Sequence, residues 1–290
     1  MTVLRPWLQL LRAGTLFSPA ADVLAGKCIG AAASGSAVWD GDLGLLMAAS
    51  ALVYAGGMAC NDAADAAQDA IERPERPIPR GAIRRTEALL LGLSLLAGGT
   101  LLSPMPMHHG VLAALVLLYD FLLKRWTLLG ATCMGALRAM NLGSAVVLGG
   151  GAWTTAELSA CACYGIYIFA VTILGAFEDD RSVRPRAVAA IQGAPIWAAL
   201  GGLFAVQDGL WPAPAVALLP VLWFARRNRL IETWTQPQIR ASMGYLLLGT
   251  MLYTGLLALA ANRSTECLCI VACIPLARTI TARLRFSTMS

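Results

Sequence analysis

Asn61, Asp62, Asp65 and Asp69 fall close together, at spacings of one, three and four residues. On a helix those spacings put the three carboxylates on one face. Like charges so arranged repel, and beside a membrane they cost still more unless a cation offsets them. Mg²⁺ suits such a site, because it prefers hard oxygen ligands, keeps several waters, and commonly joins one or two carboxylates to phosphate oxygens. Arg73 and Arg76 follow where Pro74 and Pro77 turn the chain, placed to neutralise phosphate directly. A second reading stays open, in which this is a solvated helix end whose aspartates pair with neighbouring arginines. Another acidic group, Glu178, Asp179 and Asp180, precedes Arg181, Arg184 and Arg186. It reads equally as a second metal-binding group or as an ordinary charged loop.

The elements that must hold these residues are set by composition. Of 290 residues, 58% are hydrophobic and 13% charged, with a mean hydropathy of +0.65. That excludes a disordered chain or a soluble nucleotide-binding domain. A bilayer core about 30 Å thick needs about 20 apolar residues per helix. Nine runs of that kind occur, at 16–38, 43–61, 87–106, 109–123, 130–150, 158–177, 187–206, 211–225 and 242–261. None alternates as a membrane β-strand would. A shorter apolar stretch, 267–280, runs directly into Arg278, Arg283 and Arg285, the pattern of an interfacial or re-entrant helix. The expected fold is an all-α polytopic membrane protein: one domain over 1–290, with nine transmembrane helices around a central cavity. Spans one to four and five to eight share an orientation, giving two four-helix repeats plus one helix.

Most of the 22 basic side chains lie on one side of these spans: Arg5 and Arg12, Arg73 to Arg85, Lys124 and Arg125, Arg181 to Arg186, and Arg226 to Arg240. The alternate connections, near residues 40, 107, 153 and 208, hold none. The positive-inside rule therefore puts the N-terminus and both acidic loops, about 62–86 and 178–187, on the cytoplasmic face of the inner (plasma) membrane. The net charge of +5 sits in clusters between apolar runs, so its partner is the lipid bilayer and not nucleic acid. No cleavable leader is expected at the N-terminus, since Arg5 and Arg12 lead into a span without a small-residue cleavage site. Most cysteines read as small core residues. Cys267, Cys269 and Cys273 would lie outside after nine spans, where a disulfide can form. His108 and His109 read as a polar outer turn.

Charged groups within spans are candidates for function. Asp22 and Lys27, about a turn apart, suggest an internal pair. Arg138 and Asn141 share a helix face, and Arg138 is assigned to the donor or acceptor, or alternatively to an ion pair with Asp22 or Asp120. Tyr54 and Tyr119 are candidate cavity walls.

The run Asn61 to Gly81 resembles the first aspartate-rich motif of the UbiA superfamily of intramembrane prenyltransferases. That motif is N-D-x-x-D-x-x-x-D with a following R-P-x-x-x-G, matched by Asn61, Asp62, Asp65, Asp69, Arg76, Pro77 and Gly81. Tyr119 to Arg125 resembles the family's segment after the fourth span. The resemblance implies that Asp62, Asp65 and Asp69 bind Mg²⁺ and the diphosphate of a prenyl donor, with Asn61 beside them and Arg76 and Lys124 on the phosphates. The family's second motif usually spaces its aspartates about four residues apart, whereas Glu178, Asp179 and Asp180 are contiguous.

The chemistry implied is ionisation of a prenyl diphosphate, with cations stabilising the leaving group and apolar helices excluding water from the allylic cation. An aromatic or other small acceptor, not identifiable from sequence, then attacks. The alternative is a non-catalytic binder or transporter of an isoprenoid or amphipathic metabolite, which the contiguous second cluster keeps open. The intact first motif favours the transferase.

Overall fold

Within hydrocarbon every backbone N–H and C=O must find its partner inside the protein, and a helix does this locally. The computed structural model describes residues 4–177, 185–207, 212–231 and 234–284, and every regular element among them is helical. In chain order these are α1 (Leu4–Leu10), α2 (Phe17–Ser34), α3 (Gly41–Ala64), α4 (Ala66–Glu72), α5 (Arg85–Leu102) and α6 (Pro106–Phe121). Then come α7 (Thr127–Leu148), α8 (Thr155–Ala176), α9 (Pro185–Val206), α10 (Pro212–Arg229), α11 (Gln236–Ala260) and α12 (Ser264–Leu284).

Local chemistry sets the ends. The Glu87 carboxylate accepts from the Arg84 N–H at the start of α5 (3.0 Å), and Glu157 does the same for Thr154 at α8 (2.8 Å). Gln238 serves Thr235 at α11 (2.8 Å). In each case a side chain three residues into the turn accepts an N–H at the helix start. Gly150, at φ +79°, turns the chain out of α7, in a conformation glycine adopts without steric cost.

Eight helices among the described residues are long and apolar enough to cross a membrane. α6 has 16 residues, and α10 carries Arg226, Arg227 and Arg229 in its last turn; neither is among the eight. α12 is among them, where the sequence suggested a shorter interfacial piece. Its 21 residues span about 30 Å at about 1.5 Å per residue. Its first turn is tied by Glu266 to Trp39 Nε1 (2.9 Å), and the carbonyl of its last residue, Leu284, accepts from Gln9 Nε2 (2.8 Å). The number nine is thus not fixed by these helices. Cys267, Cys269 and Cys273 lie along α12 and, like every other cysteine, are unbridged. His108 and His109 belong to the first turn of α6 rather than to a loop, and His109 is fully buried against Ser103 (3.0 Å).

Polarity is distributed as in a membrane protein. Leu90, Leu101, Leu128, Leu219 and Leu222 are exposed, while Asp22, Lys27, Asn141 and Glu157 are buried. Lys27 donates to Asp40 (2.6 Å) and to the Leu148 carbonyl (3.0 Å), not to Asp22 as the sequence suggested. That bond holds the Asp40 carboxyl below its ordinary range.

The chain forms two compact units, Met1–Ala20 with Gly44–Leu123 and Ala272–Ser290, and Ala21–Leu43 with Lys124–Val271. In the first, α3 packs on α5 where Gly56 meets Gly92 and Leu96. In the second, α8 lies against α7 and α9, and α11 against α8, α9 and α10. α2 joins that unit by pressing its backbone on α7: a β-carbon at Gly26 would come 2.2 Å from the Leu142 carbonyl oxygen, and one at Gly30 2.1 Å from that of Val146. Membrane helices associate through such small-residue contacts, because lipid offers no hydrophobic drive between them. Gly30→Leu should therefore destabilise the purified protein by about 1–3 kcal/mol, seen as a lower Tm in detergent. Gly44→Ala, whose β-carbon meets nothing within 4 Å, should leave Tm unchanged.

Candidate active site

The site is built at the end of α3. Trp7 and Leu10 of α1, with Leu11 directly after it, pack with Ala59 and Ala63 of α3, Ile83 and Ala88. That docking delivers Arg12, whose backbone is left-handed at φ 48°, ψ 51°. A non-glycine residue holds that conformation only where its surroundings enforce it. Arg12 Nη2 reaches Asp62 Oδ1 at 3.3 Å.

The aspartate run is not one uninterrupted helix. α3 ends at Ala64, Asp65 takes φ −87°, ψ 3°, and α4 begins at Ala66. Arg85 Nε donates to the Ala63 carbonyl (2.8 Å), satisfying an acceptor at the helix end. On a straight helix Asp62 and Asp69 would be about 10 Å apart along the axis. Here one nitrogen, Arg76 Nη1, lies 3.3 Å from Asp62 Oδ1 and 2.6 Å from Asp69 Oδ2. Arg73 Nη1 stands 3.9 Å from Asp69 Oδ1. Asp62 and Asp69 are both buried, at 5% and 2% exposure. Burial pushes the Asp69 carboxyl above its ordinary range, with Arg76 the largest opposing influence.

The loop that supplies Arg76 is folded by nested turns. The Arg76 N–H bonds the Arg73 carbonyl (3.0 Å), Arg80 that of Arg76 (3.1 Å), and Gly81 that of Ile78 (3.0 Å). Gly81 sits at φ +75°, where any β-carbon would be strained. Ile78 and Ile83 enter the apolar cluster beneath α1, and Arg80 Nη2 donates to Gln9 Oε1 (2.8 Å).

Of the sequence-assigned residues, Asp62, Asp69, Arg73 and Arg76 thus converge, joined by Arg12, which the sequence reading placed only in an N-terminal basic cluster. Asn61 is half-buried on the last turn of α3, Asp65 half-buried at the bend, and Tyr54 half-buried two turns earlier on α3. Tyr119 is half-buried near the end of α6, and Lys124 half-buried in the short turn before α7. Glu178, Asp179 and Asp180 lie outside the described residues. Asp62 and Asp69 are paired with neighbouring arginines, but they are buried and not at a solvated helix end. Among the described residues no group of three or more Asp, Glu, His or Cys side chains is arranged to hold a metal by itself. The donor set of buried carboxylates ringed by guanidinium groups instead fits a cation that arrives with a phosphate and takes part of its coordination from it.

Arg138 and Asn141 are placed together in the second unit, around Asp22. Arg138 Nη2 and Asn141 Nδ2 each donate to an Asp22 oxygen at 3.0 Å, and Tyr164 Oη donates to Asp22 at 2.6 Å. Arg138 Nε in turn donates to Tyr164 Oη at 3.1 Å. Asp22 and Tyr164 are fully buried, so the ion pair weighed for Arg138 is present, with Asp22. Tyr164, which sequence reasoning missed, carries no signal in the chain beyond its place on an apolar helix.

Apolar exteriors, buried charges and long helices define a polytopic integral membrane protein carrying a carboxylate–arginine site at one helix end. Residues 23–248 match the model of the UbiA prenyltransferase family, and the chain belongs to that family. It is 36% identical over 120 residues to a digeranylgeranylglyceryl phosphate synthase of Ignicoccus hospitalis, covering 40% of this chain and 38% of that protein. It is 30% identical over 199 residues to one of Methanopyrus kandleri, covering 67% and 69%. A solved structure described as digeranylgeranylglyceryl phosphate synthase in membranes superposes with a TM-score of 0.62 at 18% identity, over 95% of this chain and all of that one. A UbiA homologue from Archaeoglobus fulgidus bound to Cd²⁺ gives 0.50 at 14%, over 95% and 98%. The match thus spans less than two fifths of the length of the Ignicoccus relative.

Asp22→Asn leaves the Arg138 guanidinium without its carboxylate and should destabilise the protein by about 3–5 kcal/mol. Thermal unfolding in detergent should show the loss, and Asp22→Asn with Arg138→Gln should recover most of it.

Proposed function

We propose that the chain transfers a prenyl group from a prenyl diphosphate to an acceptor within the membrane. The observation that carries this reading is the pairing of buried Asp62 and Asp69 on one Arg76 nitrogen, on the motif that the family resemblance assigns to the donor. Arginines that, among the described residues, meet aspartates can turn to a diphosphate when it enters, and the carboxylates released are then available to a divalent cation. Asp62, Asp65 and Asp69 would hold Mg²⁺ with Asn61 beside them, and Mg²⁺ would supply neutralisation of the leaving diphosphate. Arg12, Arg73 and Arg76 hold the phosphate oxygens by charge-assisted hydrogen bonds, and Lys124 adds a point charge. Cleavage of the allylic carbon–oxygen bond sends the electron pair to the diphosphate, so cations near it lower the barrier. Apolar helices, with Tyr54 and Tyr119, keep water from the carbocation.

In this reading Arg138 and Asn141, fixed by Asp22 and Tyr164, serve the acceptor, and Glu178, Asp179 and Asp180 provide a second anchor for metal. The active-site loops, about 62–86 and 178–187, and the N-terminus face the cytoplasm, because arginines gather at those connections. A glyceryl phosphate lipid, suggested by the relatives' names, is the first acceptor to try, with aromatic acceptors next.

The test is binding of geranylgeranyl thiodiphosphate, a non-ionising donor analogue, to the purified chain with and without Mg²⁺. Binding should require Mg²⁺, be lost in Asp65→Asn and Asp69→Asn, and weaken about tenfold in Arg12→Ala, in line with loss of one charge-assisted bond. Turnover of a donor–acceptor pair should vanish in Asp65→Asn. Binding indifferent to Mg²⁺ and to Asp65 would instead favour a non-catalytic carrier of isoprenoids on the same fold.

A further inference from the structure

A second arginine cluster lies where α10 ends and α11 begins, and it differs from the first in having no acid on either helix. Arg226, Arg227 and Arg229 close α10, Arg240 lies in the second turn of α11, and neither helix contains Asp or Glu. The one acid between them in sequence, Glu232, lies outside the described residues.

Among the described residues Arg227 is held in place from one side. Its Nη1 donates to Ser242 Oγ at 2.8 Å and to Asn228 Oδ1 at 3.0 Å, and its guanidinium carbon sits 4.9 Å from the centre of the Tyr245 ring. Asn228 is fixed in turn, since its Nδ2 donates to Gln192 Oε1 at 3.0 Å, and Gln192 is 1% exposed. Nε and Nη2 of Arg227 make no hydrogen bond among the described residues. A guanidinium with one nitrogen pinned and the Nε/Nη2 edge left over is a preorganised fork for two phosphate oxygens. Beside it Trp223 and Tyr245 pack edge to face at 5.2 Å. Both rings are about half exposed, and Leu219, Leu222 and Leu230 are largely exposed. Amphipathic rings next to exposed leucines mark the level where acyl chains meet headgroups.

We infer that this end of the second unit binds the phosphate of an anionic phospholipid. The Nε/Nη2 edge of Arg227 takes the phosphate oxygens, Arg226, Arg229 and Arg240 provide the field that favours net negative charge, and Trp223, Tyr245 and the leucines lie along the acyl chains. No residue of the aspartate site takes part, so the inference stands apart from the transferase reading.

Native mass spectrometry of the full chain in detergent, titrated with phosphatidylglycerol or with phosphatidylcholine of the same chains, tests it. Phosphatidylglycerol should bind in preference to phosphatidylcholine. Its affinity should fall at least about fivefold in Arg227→Gln, the scale of one basic residue at a charged surface, and less than twofold in Arg5→Gln, an exposed arginine elsewhere. Arg227→Lys keeps the charge without the fork, should fall between the two, and serves if the glutamine variant does not fold. Equal binding of both lipids, or unchanged affinity in both Arg227 variants, overturns the inference. A third arm adds inorganic diphosphate without lipid: binding tighter than that of phosphatidylglycerol and lost in Arg227→Gln would assign the fork to soluble phosphates and overturn the lipid assignment.

Discussion

A charge next to hydrocarbon must be answered by another charge or by a ligand, and this constraint organises the protein. Asp62 and Asp69 stay buried because one Arg76 nitrogen serves both, with Arg12 and Arg73 alongside. Asp22 stays buried because Arg138, Asn141 and Tyr164 surround it, and Lys27 because Asp40 and a backbone carbonyl meet it. Much of the fold around these groups serves to deliver the partner. α1 and the residue after it dock through Trp7, Leu10 and Leu11 to bring Arg12, and the proline-rich loop is pinned by Ile78 and Ile83 to bring Arg76.

The two arginine clusters differ in whether the protein itself supplies the opposite charge. At the end of α3 Arg12, Arg73 and Arg76 each meet an aspartate, so in the proposed reaction an incoming diphosphate has to exchange partners with the protein. Such an exchange costs little if each broken pair is replaced by one of equal charge, and a divalent cation makes up the balance. At the end of α10 the Arg227 guanidinium is oriented, among the described residues, by neutral groups alone, and in the inferred lipid site its charge meets a headgroup. Pairing of arginine with acid inside a chain holds a site ready, whereas arginine set by amides, a hydroxyl and a ring advertises for an anion.

The second feature with wide consequences is close backbone contact. Gly26 and Gly30 let α2 settle on α7, and this brings Asp22, four residues before Gly26, to Arg138, four residues before Leu142. The polar network and the glycine contact thus depend on one another: a larger residue in the seam would separate charges that hydrocarbon does not tolerate apart.

The chain by itself determined that the protein is helical and membrane-embedded, because uninterrupted apolar runs have no other stable form in lipid. It also fixed the family motif and the identity of the charged residues, since a carboxylate or a guanidinium must be answered wherever it lies. Tertiary structure decided which charge answers which. The sequence suggested Asp22 with Lys27 from their separation along one helix and left Arg138 between a substrate role and a pair with Asp22 or Asp120; packing joined Asp22 to Arg138, because it carries residues far apart in the chain into contact. Arg12 shows the same limit, since its approach to Asp62 depends on a left-handed turn and a docked helix that no local pattern records. The length of α12 and the bend at Asp65 were likewise set by packing and by the hydrogen bonds available at helix ends. Local periodicity reports how a helix is made, while pairing across helices is a property of the packed whole.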